Sequence, residues 1–484
     1  MIGWTSSSLR AAVTAGVAVL PLVSCRVGPN YRPPALPEGA AAPLVGVNPA
    51  LETPTAPADA WWHLYNDPRL DALVQEALQA NRDLAAADAN LAAARAAVAE
   101  AHARRYPSTD VSGGAVRGRD PVTDEILELT GQRPQTIWLY EDLFEVAYEV
   151  DLFGRIHRAI EAANANAESI AAARDSVRVV VAATTARSYA AVCALGEELD
   201  VARHSLDVVS REAAITERRY EAGAGSELDV TRAQALVGQV RSNIPQLEGE
   251  RKAALFELTA VLGRTPTNAP RELEQCVTPP RVASLIPVGD GRALLSRRPD
   301  VRQAERRLAA ATAQIGVATA DLFPTIQLTG FYGGAAAQPS QLPTNLGLAW
   351  GIGPSISWTF PNQAGPRARV RQAKASQAAA LAGFDSVVLT ALKETEQALA
   401  EYSAALDRRQ ALADAQGKIH RSFDIAHDEY VAGSVSNLDL LTTEQSLVAL
   451  DAAVASSDAS LIQVQIDLFK ALGGGWHNES LRSP

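Results

Sequence analysis

Along most of this chain the apolar positions recur every three or four residues, and in two short stretches the period changes to two. Asn66-Asp67-Pro68 opens the first helical run, with Asp67 as candidate N-cap and Pro68 at the first helical position. The Ala-rich pattern then continues from 70 to about 105 and ends before Pro107. Next the period shortens. Trp138, Tyr140, Phe144, Val146, Tyr148 and Val150 share one parity, while Glu141, Glu145 and Glu149 take the other and Asp142 is the exception. That alternation predicts a strand with an apolar and an acidic face. Leu346, Leu348, Trp350, Ile352, Ile356, Trp358 and Phe360 alternate in the same way with Gly, Ala, Ser and Thr. Weaker partners at 109–116 and 325–332 predict two strand hairpins, 108–151 and 325–360.

No Pro interrupts residues 154–222, and a helix of that size measures about 100 Å at ~1.5 Å per residue. Leu195, Ala202, Leu206, Val209, Ala213 and Tyr220 keep a coiled-coil spacing within it. A second helix is expected over 227–262, with Pro245 as a candidate kink. Between the two lies Tyr220-Glu221-Ala222-Gly223-Ala224-Gly225-Ser226-Glu227-Leu228-Asp229, and about 210 positions on Tyr430-Val431-Ala432-Gly433-Ser434-Val435-Ser436-Asn437-Leu438-Asp439 repeats its layout. Gly stops one helix and Ser caps the next. Leu91-Ala92-Ala93-Ala94 and Pro107 recur as Leu308-Ala309-Ala310-Ala311 and Pro324, and Leu262-Gly263 as Leu472-Gly473. The chain therefore reads as two internal repeats, 66–263 and 292–475, joined by a Pro-rich linker at 264–291 and followed by a tail at 476–484. The offset shrinks between the strands, so the first strand loop is the longer one and belongs at an exposed face.

Composition narrows the picture. Hydrophobic residues make up 47% of 484 but aromatics only 5%, which suits Ala-rich helices packed along their length. The net charge of −11, without any basic stripe, excludes a nucleic-acid partner. The apolar run 11–23 is too short to span a bilayer, and Leu22-Val23-Ser24-Cys25 has the order of a lipoprotein cleavage site. Residues 1–24 are thus expected to be a signal peptide, Cys25 the acylated new N-terminus, and 25–65 an extended tether. Cys193, in a helical pattern, and Cys276, in a Pro-rich loop, are read as a buried thiol and a loop thiol in preference to a disulfide.

There is no phosphate loop, zinc-type spacing or nucleophile elbow, so neither an enzyme nor a cofactor is expected. His420, Asp424, His427 and Asp428 share a helix face, for which a solvated charged surface is preferred to a metal site. Four strands cannot close a transmembrane barrel, whose smallest examples have about eight. Three copies would supply twelve strands, and their long helices a second tube reaching across a periplasm.

Several motifs in order resemble one family. They are Cys25-Arg26-Val27-Gly28-Pro29-Asn30-Tyr31, Trp61-Trp62 with Asp67-Pro68-Arg69-Leu70, Asn81 with Leu84, Arg297-Arg298-Pro299-Asp300-Val301 with Glu305, Phe323-Pro324, Gly433 with Leu438-Asp439, and Leu472-Gly473-Gly474-Gly475-Trp476. Together these look like the outer-membrane efflux proteins, and most like their TolC-like, NodT-type lipoprotein branch. The resemblance implies a mainly α fold with a small β part: a periplasmic α-helical barrel and a transmembrane β-barrel in outer-membrane lipid, shared by a homotrimer. It also implies two partners, a periplasmic adaptor protein and an inner-membrane resistance-nodulation-division pump.

On this resemblance Tyr220, Gly223, Ser226 and Leu228, with Tyr430, Gly433, Ser436 and Leu438, form the adaptor-docking tip. Val435 stands where relatives can carry Asp, which leaves Glu227, Asp229 and Asp439 as weaker gate acids, while Glu141, Glu145 and Glu149 are expected to line the lumen. A protein-secretion duct and a structural periplasmic coiled-coil lipoprotein are the alternatives to an efflux channel.

Overall fold

The computed structural model describes residues 26–474 except 49–51, 54, 56–58, 120–124, 126–127, 132, 134–135, 283–284 and 343–347. Cys25, the signal peptide and the tail lie outside the described residues. In chain order the elements are β1 (Glu52–Thr53), α1 (Pro68–Ala80), α2 (Arg82–Ala103), β2 (Ser108–Gly118), β3 (Ile137–Val150), α3 (Arg155–Glu221) and α4 (Glu227–Val261). There follow β4 (Ile286–Pro287), α5 (Gly291–Arg297), α6 (Pro299–Ala320), β5 (Thr325–Ala336), β6 (Leu348–Ser357), α7 (Ala364–Val431) and α8 (Asn437–Ala471). The chain divides into two units. One holds residues up to Arg32, Ala96–Ala165 and Ala309–Ala378; the other holds Pro33–Arg95, Asn166–Leu308 and Ala379–Pro484.

The first unit is built on one antiparallel sheet of order β2-β3-β5-β6. The two expected hairpins are therefore one sheet, joined where Phe144 pairs with Tyr332 and Val150 with Ile326. Beside it, Arg158 is 1% exposed and clamps the start of the described chain. Its guanidinium donates to the carbonyls of Val27 (3.2 Å) and Gly28 (3.3 Å), to Asn30 Oδ1 (2.8 Å) and to Glu161 (2.8 Å). Gly28 has φ +87°, and a Cβ there would lie 2.5 Å from the Gly316 Cα, so only Gly fits.

In the second unit the helix expected over 70–105 is two helices. Asn81 is extended (φ −61°, ψ 133°), its Oδ1 accepts from Leu84 N–H (3.0 Å), and its Nδ2 donates to the Val261 carbonyl (3.0 Å). A short polar side chain thus caps the next helix and satisfies the end of α4. Arg298, also extended between two helices, does the same for α8 by donating to the Ala471 carbonyl (2.9 Å). Pro245 lies within α4 without ending it. The core centres on Trp61, 1% exposed and stacked on Phe469 at 4.8 Å between ring centroids.

The cysteine expectation is corrected: Cys193 and Cys276 form a disulfide, with Cα atoms 4.8 Å apart. Packing brings them together. Gly196 leaves room for the Cys276 carbonyl, which a Cβ would approach to 2.0 Å, and Arg251 donates to the carbonyls of Val192 (3.2 Å) and Cys276 (2.7 Å). Arg281 extends this strap by reaching Asp458 (2.8 Å).

Candidate docking tip and channel wall

The two helical turns are built alike. Gly223 (φ +75°) and Gly433 (φ +80°) occupy the left-handed position that ends α3 and α7. Beyond them the N–H of Ala224 reaches back to the Arg219 carbonyl (2.7 Å), and that of Ser434 to the Glu429 carbonyl (2.8 Å). Ser226 caps α4: its hydroxyl accepts from Asp229 N–H (3.2 Å) and donates to the Asp229 carboxylate (2.7 Å), which accepts from Ser226 N–H (3.2 Å). Ser436 and Asp439 repeat this box on α8. Asp229 and Asp439 are therefore committed to helix starts, while Glu227 is exposed. Leu228 and Leu438 are both at least half exposed, and small glycine turns stand beside them.

The tyrosines break the likeness. Tyr430 is 5% exposed; the Arg219 guanidinium lies 4.4 Å over its ring and donates to its carbonyl (2.7 Å). Asn437 Nδ2 donates to the Tyr430 hydroxyl and to Thr216 Oγ1, both at 3.2 Å. Tyr220 is 44% exposed, and the residue matching Arg219 in the second turn is Glu429. Sequence reasoning missed Arg219, Asn437 and Thr216. The one available signal was that the two turn motifs differ in charge just before their tyrosines.

The strand register sorts the sheet into two faces. Val111, Phe144, Tyr332 and Trp350 lie in one row across four strands, and Val150, Ile326 and Ile356 in another across three. Trp350, Ile352 and Ile356 are each about 70% exposed, so this apolar face has no cover among the described residues. The opposite face carries Glu145, Ala147, Gln327, Thr329, Gly353 and Ser355, with Phe331 filling the space left by Gly351. Glu141 and Glu145 are exposed on it. Glu149 is half-buried and accepts from Arg155 Nε (2.9 Å) at the start of α3. Asp142, the parity exception, accepts from Gly334 N–H (3.0 Å) and so spends its carboxylate on the sheet.

His420 and His427 do not converge. His420 Nε2 meets Asp451 (2.9 Å) and His427 Nδ1 meets Glu212 (3.1 Å), on different helices.

A model of the outer membrane efflux protein family matches residues 73–264 and again 291–474. The chain belongs to that family. The probable efflux pump outer membrane protein TtgC of Pseudomonas putida is 30% identical over 483 residues, covering 98% of this chain and 97% of its own. Nodulation protein T of Rhizobium leguminosarum bv. viciae is 28% identical over 481 residues, covering 96% and 94%. The solved outer-membrane channel OprN superposes with a TM-score of 0.85 at 34% identity, covering 93% of this chain and all of its own. As an outer membrane efflux protein, the chain is a mainly helical TolC-like channel of the outer membrane that extends into the periplasm and serves an efflux system.

Proposed function

We propose that three copies of this outer membrane efflux protein close one barrel and form the passive exit duct of a tripartite pump for small molecules. The observation that carries the reading is the four-stranded sheet: one face is apolar and uncovered, and edge strands β2 and β6 have no further partner among the described residues. Unpaired N–H and C=O groups are not tolerated in lipid, so the edges must pair with other copies, and twelve strands leave room for a lumen. Among the described residues three helices, α3, α7 and α8, are also long and apolar enough to span a bilayer. Buried Asp451 and Asp458 on α8 favour the strands as the spanning elements.

Each helical hairpin belongs to one of two duplicated halves. Gly223, Ser226 and Leu228, with Gly433, Ser436 and Leu438, receive a periplasmic adaptor, which links the duct to an inner-membrane resistance-nodulation-division pump. Exposed Tyr220 meets a neighbouring copy, where Tyr430 is already held within its own. Glu141 and Glu145 line the lumen and bias it toward cations. Cys25 carries the lipid anchor, and the Arg158 clamp on Val27 and Gly28 holds the anchored end at the base of β3, where Val27 N–H donates to the Phe153 carbonyl (3.3 Å).

The test is accumulation of a fluorescent drug in cells lacking their own duct, supplied with this gene, pump and adaptor. Wild type is expected to lower accumulation, and Gly433→Trp to lose that effect; a Cβ there meets nothing within 4 Å, but φ +80° strains any side chain, so the trimer level is measured beside it and a loss of trimer would assign the defect to folding. Unchanged accumulation with wild-type trimer present favours the secretion duct.

A further inference from the structure

The seam between α7 and α8 contains a polar ladder with heptad spacing. On α8, Asn437, Glu444, Asp451, Asp458 and Gln465 stand seven apart, and the last four are buried (3%, 9%, 7% and 4% exposed). Their partners on α7 are also seven apart. Tyr430 meets Asn437, Gln416 meets Asp451 (2.8 Å), Arg409 meets Asp458 (2.8 Å) and Tyr402 meets Gln465. The antiparallel register that fixes these four pairs sets Phe423 across from Glu444. Every rung but that one has a hydrogen-bonding partner on α7.

The surroundings of Glu444 do not repair the rung. Among the described residues its Oε1 is buried without a partner, and so is Oε2 of Glu212 on α3, the carboxylate whose charge acts on it. Glu212 itself is 7% exposed, with Arg211 beside it and His427 of α7 at 3.1 Å. Asp424 and Asp428 of α7 line the same 340 Å³ cavity as Glu212, Phe423 and His427. From α4, Leu236 and Val240 face this stretch as part of an apolar cluster with Val209 and Leu441. Two buried carboxylates therefore lie near each other with one imidazole and one guanidinium in the vicinity, and among the described residues neither group pairs with Glu444.

We propose that Glu444 is a proton-operated rung: as a neutral acid it packs quietly against Phe423, and on losing its proton it loosens the α3–α7–α8 junction behind the second turn. Burial, and next the Glu212 charge, push its carboxyl up to about 8 from an ordinary value near 4.5. The folded junction therefore holds a proton that the opened one gives up. Its stability is greatest below the ordinary value, falls as pH rises toward 8, and levels off above.

Hydrogen–deuterium exchange of the purified full-length protein tests this. Protection factors, corrected for intrinsic rates, should fall by up to about tenfold per pH unit between pH 6 and 8 in peptides covering 420–430 and 440–448, and then level off. Glu444→Gln should remove the slope. Phe423→Gln, which offers an amide to the open rung, should end the slope at lower pH, and it serves as the test should Glu444→Gln fail to fold. A flat wild-type profile overturns the proposal. So does a slope that survives Glu444→Gln or disappears only with Glu212→Gln.

Discussion

Cells producing the double variant Trp350→Arg/Ile352→Arg are expected to contain no heat-modifiable oligomer in their outer membrane. Both side chains project from β6 on the uncovered apolar face, in rows shared with Tyr332 and Gly330. An Arg facing lipid costs about 2–4 kcal/mol near the bilayer midplane, so two per chain, multiplied over the copies of a barrel, exceed what a marginally stable assembly tolerates. Ser355→Arg on the same strand is the control, because it sits in the row with Gln327 on the polar face. That variant should assemble and alter conductance only. Normal extraction and assembly of the double variant would show that this face does not meet lipid.

The second large effect is expected from Cys193→Ala/Cys276→Ala. The bond closes a loop whose ends are 83 positions apart, and a cross-link of that span removes roughly 4–5 kcal/mol of unfolded-state freedom on the chain-entropy account. It also holds the strap over a point where Gly196 leaves no room for a side chain. The denaturant midpoint of the helical signal should drop in the variant, and a reductant should lower the wild type toward it. Equal midpoints in all three conditions would mean that Arg251 and Arg281 hold the strap unaided.

The sequence made some of this visible for identifiable reasons. Strand parity was legible because one face of the sheet is apolar and the other polar, which imposes a period of two on Phe144, Val146 and Trp350, Ile352. The hairpin turns were legible because Gly433 and Ser436 are dictated by local backbone geometry. The pairing of β3 with β5 was not, since it joins residues nearly two hundred positions apart and leaves no local mark. Asn81 sits in an Ala-rich run without Gly or Pro, so its cap on Leu84 N–H has no punctuation beside it in the sequence, and its other bond goes to the distant Val261 carbonyl. The disulfide was hidden similarly: Cys193 carries the pattern of a buried helical residue, and its mate belongs to a loop with no period at all. Tyr220 and Tyr430 share one motif, and only the folded chain separates the exposed ring from the one under Arg219.

The open sheet also constrains the order of events during biogenesis. A lone chain entering the bilayer would carry two rows of backbone dipoles into hydrocarbon, on β2 and on β6, each group costing several kcal/mol. If the edges pair with other copies, as proposed above, encounter between copies must come before insertion or together with it, and the rate of appearance in the membrane should climb steeply with the supply of secreted chain. Until that encounter the same edges are templates for unwanted strand addition. On that proposal, the slower the supply of chain, the longer each solitary sheet stays exposed to such additions before it meets its own kind.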